Sequence, residues 1–232
     1  MEINRRTALV TGANRGLGRY LAEQLRDRGA HVYAAARNPE TVDLDGVTPI
    51  RLDLNSEASI AEAVTATNDI SILVNNAGTL SPTSLLTGSM VEIRAEFDTN
   101  FYGTLLVTRA FAPQLAEQDQ STLLTILSVL SWVSFPAVGP YCATKAAAWS
   151  MVNSLRQELA EQGTTVSALH VGYMDTDMAA GVTDAKSSPS DVARLAIDGL
   201  EQGTVEIIAD EISTLVRGQL GSGVAGLYPQ FA

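Results

Sequence analysis

Short apolar runs alternate along the chain with longer stretches in which apolar residues recur every three or four positions. The runs read as strands over residues 7–10, 31–35, 48–52, 70–74, 122–127, 166–170 and 205–208. The periodic stretches read as helices over 16–28, 57–66, 90–117, 140–162 and 190–202, with a short further helix over 210–220. Strands that are apolar along their whole length belong in a sheet covered on both faces, and strict strand–helix alternation is the pattern of parallel strands joined by crossover helices. The expected fold is therefore α/β: a Rossmann-type, doubly wound, seven-stranded parallel sheet flanked by helices on both faces. In such a sheet ligands bind beyond the carboxyl ends of the strands, where strand order reverses.

With 232 residues, 46% of them hydrophobic, the chain supports one sizeable core and is expected to form a single domain over 1–232. A net charge of -11 disfavours nucleic acid and anionic membranes as partners, because the electrostatic contribution to phosphate binding is then repulsive. The uncharged stretch 121–144 is long enough to span a bilayer, but Pro136, Gly139 and Pro140 would break a helix there, so a buried strand and loop are expected instead. The N-terminus has no apolar segment of signal-peptide length, and no cleaved leader is expected. A single cysteine, Cys142, excludes an intrachain disulfide and a cysteine-built metal site; no metal and a cytoplasmic location are the expectations.

The first predicted strand runs into Thr11-Gly12-Ala13-Asn14-Arg15-Gly16-Leu17-Gly18, which opens a helix. Glycines at these points permit a tight turn and close backbone approach to a pyrophosphate, while the helix start offers free N–H groups to that anion. An acid at the end of the next strand would bind the ribose 2′-hydroxyl of NAD, yet this strand ends Ala34-Ala35-Ala36-Arg37-Asn38. Arg37, with Arg15 in the turn, suits a 2′-phosphate, so NADP(H) is the expected cofactor and NAD(H) the lesser alternative.

Tyr141 and Lys145 stand four residues apart, on one face of a predicted helix, in a chain with six tyrosines and two lysines. Thirteen residues upstream of the tyrosine, at the end of an apolar strand, is Ser128. Carbonyl reduction needs a positioned proton donor, and an ammonium ~4 Å from the phenol contributes up to about 4 kcal/mol towards its ionised form at an effective dielectric of ~20. Ser128 is suited to polarise a substrate oxygen by hydrogen bonding. His31 and His170 read as ordinary core or edge residues, neither placed to activate the serine.

Taken together, the Thr-Gly-x-x-x-Gly-x-Gly turn, Asp53-Leu54, Asn75-Asn76-Ala77-Gly78, Asn100, Ser128, Tyr141/Lys145 and Gly172 with Thr176 resemble the short-chain dehydrogenase/reductase family up to about residue 176. The resemblance implies hydride transfer between NADP(H) and a small carbonyl or alcohol, with Tyr141 as general acid/base. It implies further that Asp53-Leu54 lies by the adenine and Asn76-Ala77-Gly78 along the ribose. The turn at Gly172, the Met174 backbone and Thr176 would meet the nicotinamide end, and Asn100 would hold a water relaying protons to Lys145. A homodimer is expected from the family and the two long helices, with a tetramer as the alternative. Two departures stand out: Val171-Gly172 where Pro-Gly is usual, and a different C-terminal ending. A dinucleotide-sensing binding protein of the same fold is the competing reading, though such proteins commonly lose the tyrosine or lysine. The substrate pocket is expected to be open and apolar, walled by Leu80, Leu130, Trp132, Val133, Phe135, Tyr173 and Met178, with residues 177–188 as a short, mobile lid.

Overall fold

The computed structural model describes residues 1–231. Seven strands, β1 (Thr7–Thr11), β2 (His31–Ala36), β3 (Thr48–Arg51), β4 (Ile70–Asn75), β5 (Ser121–Ile126), β6 (Thr164–His170) and β7 (Glu206–Ile208), form one sheet of order β3-β2-β1-β4-β5-β6-β7. Every pairing is parallel. Strand order reverses between β1 and β4, which places the ligand-binding crevice of this architecture at their carboxyl ends.

Side chains of successive strand residues point to opposite faces, and the two faces are covered by different helices. Ala8 and Val10 of β1 pack with Leu17, Leu21 and Leu25 of α1 (Gly16–Asp27) and with Val192, Ala196 and Ile197 of α6 (Pro189–Glu201). Leu9, between them, faces the opposite layer. There Ile60 of α2 (Glu57–Ala66), Phe111 of α4 (Thr104–Ala116) and Val152 of α5 (Gly139–Glu158) close the second core. Burial of the central strands β1, β4 and β5 on both faces explains their unbroken apolar character, whereas edge strand β3 is mostly exposed.

The helix expected over 90–117 is present but not uniform. It consists of α3 (Met90–Phe97), a π-helical turn (Asp98–Gly103) and α4. Such a turn inserts one residue and redirects the side chains that follow, and π-turns concentrate at functional sites. The helix expected to reach residue 162 stops at Glu158, and Gly163 at φ +81° brings the chain into β6 two residues earlier than expected. The C-terminal helix is α7 (Glu211–Gln219), capped by Asp210, and a short helix α8 (Gly223–Leu227), not foreseen from the sequence, follows it. Among the described residues no helix is long and apolar enough to cross a membrane.

Candidate active site

The crevice is built by close backbone contact between the turn after β1 and the segment after β4. Thr11 Oγ1 accepts from the amides of Asn76 and Ala77 at 3.0 Å, and Asn76 Nδ2 donates to Thr11 O (2.9 Å) and Gly12 O (3.3 Å). A Cβ at Gly18 would sit 2.2 Å from Gly12 O, and Gly12 itself has φ +65° beside the Ala77 backbone. These glycines are therefore required by contact and by backbone conformation. A Cβ at Gly78 would lie 3.2 Å from Asn100 Oδ1, a tighter approach than most side chains make. Leu17 roots the turn in the core.

Helix α1 starts at Gly16 without a side-chain cap, whereas α2, α3, α6 and α7 are each capped by Ser or Asp. The N–H groups of its first turn are thus left for an anion, and the surrounding glycine backbone leaves room for one, as a dinucleotide pyrophosphate requires. Asn14 Nδ2 is held by Thr41 Oγ1 at 3.0 Å. Arg37 is exposed just beyond β2, on the side of the crevice where a 2′-phosphate is expected. Arg15 reaches Asp177 at 3.3 Å, an exposed pair of the kind that exchanges partners at little cost. Beyond β3, Asp53 accepts from the Asn55 amide at 3.0 Å, while Leu54 is buried against Gly103 and serves packing.

The structure brings the four expected catalytic residues to the carboxyl ends of β4 and β5. Tyr141 and Lys145 lie one turn apart in α5, both more than nine-tenths buried, with Lys145 Nζ 5.6 Å from the Tyr141 ring centre. The ammonium donates to Ile126 O at 2.8 Å, which fixes it two residues before Ser128. Ser128 caps a 3-10 turn (Val129–Ser131): its Oγ accepts from Leu130 N at 3.1 Å, and its amide donates to Ser131 Oγ. Asn100 sits inside the π-turn. Its Oδ1 accepts from Thr79 N (2.8 Å), and its Nδ2 donates to Thr79 O (2.8 Å) and Thr144 Oγ1 (3.1 Å). The side chain therefore clamps the loop after β4 onto α5.

The electrostatics differ from the expectation that Lys145 would draw the phenol towards ionisation. Burial pushes the Tyr141 phenol well above its ordinary value, with Cys142 and Glu96 adding to the rise. Burial also brings the Lys145 ammonium down to about 8. Desolvation disfavours the charged form of each group, and Nζ is hydrogen-bonded to a carbonyl rather than to the phenol.

The turn after β6 is fixed without a proline. Asp210 accepts from the Gly172 amide at 2.6 Å and from Ser213 N at 2.8 Å, tying that turn to the start of α7. A side chain at Gly172 would collide with Ile212. Met174 pairs with Ser187, and Thr176 Cγ2 lies 3.6 Å from the position of a Gly16 Cβ, so the base of the 177–188 segment is pinned against the cofactor turn. Most of residues 177–185 is exposed.

The expected pocket walls separate into two groups. Phe135, Tyr173 and Met178 are exposed, and Leu80 is half-buried. Leu130, Trp132 and Val133 are instead buried in a cluster with Tyr141, covered by Val216, Leu220, Leu227 and Tyr228 from the C-terminal tail. Tyr228 Oη accepts from Ser134 N at 2.7 Å. The expectation of an open pocket bounded by these three residues is corrected: the tail packs over them because Trp132 presents an aromatic face that water would otherwise wet. Sequence reading missed this cover, for which the apolar positions 216, 220 and 227 were the available signal.

Fully buried His170 stacks on Trp132 at 3.8 Å, its Nδ1 3.3 Å from Ser128 O. Burial pushes the imidazole down to about 4. An unfolded histidine titrates near ~6.5, so the unfolded chain binds the extra proton between those values and stability falls as pH drops through that window, by at most about 3 kcal/mol. Urea unfolding of the wild type and His170→Phe at pH 7 and 4.5 should show a smaller acid-induced loss in the variant. An equal loss in both would assign the acid sensitivity to other groups.

The fold and the crevice together are those of a dinucleotide-binding oxidoreductase. The chain matches the short chain dehydrogenase family over residues 6–187 and belongs to it. It is an oxidoreductase that uses a nicotinamide dinucleotide and a small-molecule substrate. One relative is the 3-oxoacyl-acyl-carrier-protein reductase FabG of Staphylococcus aureus, 30% identical over alignments covering 96% of this chain and 98% of that protein. A short chain dehydrogenase from Burkholderia cenocepacia, solved in complex with NADP, is 32% identical with a TM-score of 0.94, covering 99% of this chain and 98% of its own. A short chain dehydrogenase/reductase from Burkholderia phymatum, solved with NAD, shares the fold at a TM-score of 0.86 and 23% identity, covering 96% and 95% of the two chains.

Proposed function

We propose that the protein, as a single dinucleotide-binding domain over 1–232, is an NADP(H)-dependent carbonyl reductase acting on uncharged ketones or aldehydes of modest size. The observation that carries this reading is the buried Tyr141 phenol, held protonated one helical turn from Lys145 and beside the Ser128 turn. When bound, the dinucleotide supplies the hydride for reduction or accepts it in oxidation. Ser128 donates a hydrogen bond to the substrate oxygen, and Tyr141 gives its proton to the alkoxide as it develops. Lys145 orients the phenol and contributes positive charge, and Asn100 holds the loop that borders both. Gly12, Asn14, Gly16, Leu17 and Gly18 form the pyrophosphate turn. Arg15 and Arg37 take the 2′-phosphate, and the likeness to an NADP complex supports this choice over NAD(H). Asp53, Asn76, Ala77 and Gly78 line the adenosine half, while Gly172, Met174 and Thr176 line the nicotinamide half. Retention of both Tyr141 and Lys145 argues for an enzyme rather than a sensor.

The exposed Phe135, Tyr173 and Met178 supply apolar walls without a fixed positive charge, which supports uncharged substrates. The reading includes a cytoplasmic homodimer; exposed Met90, Val91 and Tyr102 on the α3 side give an apolar surface for the mate. A homologous series of ketones assayed by NADPH consumption should show a shallow dependence on chain length, well under the ~10-fold per methylene of an enclosed apolar pocket, because the exposed walls desolvate each added methylene only in part. A steep preference for one anionic substrate would refute the pocket chemistry.

A further inference from the structure

One buried group beside the site has no part in the reading above. His170 ends β6 two residues before Gly172, is fully buried, and touches the 3-10 turn after Ser128 at both of its caps. Its Nδ1 lies 3.3 Å from the carbonyl oxygen of Ser128, the N-cap residue. Its ring stacks at 3.8 Å and 16° on that of Trp132, the C-cap residue. A carbonyl only accepts, so the ring hydrogen is on Nδ1, and burial keeps the imidazole neutral with a bare Nε2. That nitrogen is buried without a hydrogen-bond partner among the described residues. A phenylalanine would fill the same space and stack on Trp132 while leaving no polar atom unmet. What histidine adds is the hydrogen bond to Ser128.

That bond bears on where the serine hydroxyl points. Ser128 Oγ accepts from Leu130 N at 3.1 Å, which leaves its hydrogen for an oxygen in the crevice as long as the Ser128 peptide keeps its tilt. From within the turn, Ser131 Oγ accepts from the Ser128 amide at 3.3 Å, and Ser131 N donates to the Ser128 carbonyl at 2.9 Å. From outside it, β6 and the residue after it hold the flanking amides: Leu127 N donates to Leu169 O and Val129 N to Val171 O. His170 stands between these two bonds and takes the second lone pair of the Ser128 carbonyl. Resting on the assignment of Ser128 to the substrate oxygen, we propose that His170 is a positioning residue for that serine: its Nδ1–H fixes the Ser128 carbonyl, its ring fixes the far end of the turn through Trp132, and the hydroxyl is thereby aimed at the carbonyl to be reduced. It meets the carbonyl of Ser128 and not the hydroxyl, so it takes no proton from the serine.

The test compares rates with NADPH and an uncharged β-keto ester. His170→Phe keeps the stack and removes the donor; His170→Asn keeps a donor at the same branch position and removes the ring. His170→Phe should lower kcat about 5- to 20-fold with NADPH affinity within ~2-fold of wild type. His170→Asn should be the faster of the two variants although it is the less stable in urea, an order that a role in stability alone would reverse. In a Ser128→Ala background His170→Phe should cost less than ~2-fold, because the hydroxyl to be positioned is gone. The proposal is overturned by a loss under ~2-fold in folded His170→Phe, by the same loss with and without the Ser128 hydroxyl, or by His170→Asn as slow as His170→Phe. If the variants do not fold, the wild type decides. The chain has two histidines, His31 and His170, and NMR of histidine-labelled protein at neutral pH should show the buried one with its hydrogen on Nδ1; a hydrogen on Nε2 overturns the proposal. Failure of the Ser128 assignment is distinguishable, because Ser128→Ala would then be as active as wild type whatever His170 does.

Discussion

Tyr141→Phe is expected to lower turnover by a factor on the order of 10² or more while leaving NADPH affinity within a few-fold of wild type. The substitution removes one oxygen from a side chain whose ring packs with Val129, Leu130, Trp132 and Val133, so the cluster and the nearby crevice keep their shape. What is lost is the proton for the developing alkoxide, and water cannot substitute at a site this buried. Fluorescence titration with NADPH, alongside steady-state rates, separates the two quantities. Retention of more than about a tenth of wild-type turnover, with chemistry shown to be rate-limiting, would assign the proton donor elsewhere.

Arg37→Asp is expected to reverse cofactor preference, lowering kcat/KM with NADPH by a factor on the order of 10 to 10² and raising it with NADH. The guanidinium lies exposed just past the end of β2, where NAD-binding relatives of this architecture carry the acid that accepts from the 2′-hydroxyl. A carboxylate there repels a 2′-phosphate. Arg15 stays available to the phosphate through its exposed, exchangeable pair with Asp177, so the loss is limited to the contribution of one guanidinium and the new repulsion. Wild-type protein with equal or better kcat/KM for NADH would contradict the assignment, as would a variant with unchanged preference.

Much of the architecture was legible because it rests on local pattern. The central strands are buried on both faces and read as apolar runs, and α1 and α6 bury one stripe each, so their period survives in the sequence. The glycine turn was legible because Gly12 and Gly18 answer to backbone contacts that no other residue tolerates. The π-turn was not: Asp98 to Gly103 keeps helical periodicity on either side, and one inserted residue falls within the tolerance of any amphipathic pattern. Nor could the role of the Asn100 side chain be read, since its partners, Thr79 and Thr144, are brought to it from 21 and 44 residues away. The same holds for Glu96 and Asp210. Each is an acid whose meaning comes from a backbone amide supplied by another element, Ser81 in one case and Gly172 in the other. The depth at which Tyr141 and Lys145 are buried was not legible for a related reason. Sequence spacing gives the distance to Lys145, but burial of both groups is set by the packing of β5, α5 and the tail together.

The central claim is direct hydride transfer to a carbonyl carbon with Tyr141 as the proton source. Its most direct test is reduction of an uncharged ketone with NADPH deuterated at nicotinamide C4, each face in turn, followed by mass spectrometry of the alcohol. The account predicts one deuterium on the carbinol carbon from one of the two labelled cofactors, with the labelled alcohol formed about 10²-fold or more slowly by Tyr141→Phe. Alcohol formed without deuterium from either label, or labelled alcohol formed as fast by the variant, would contradict it.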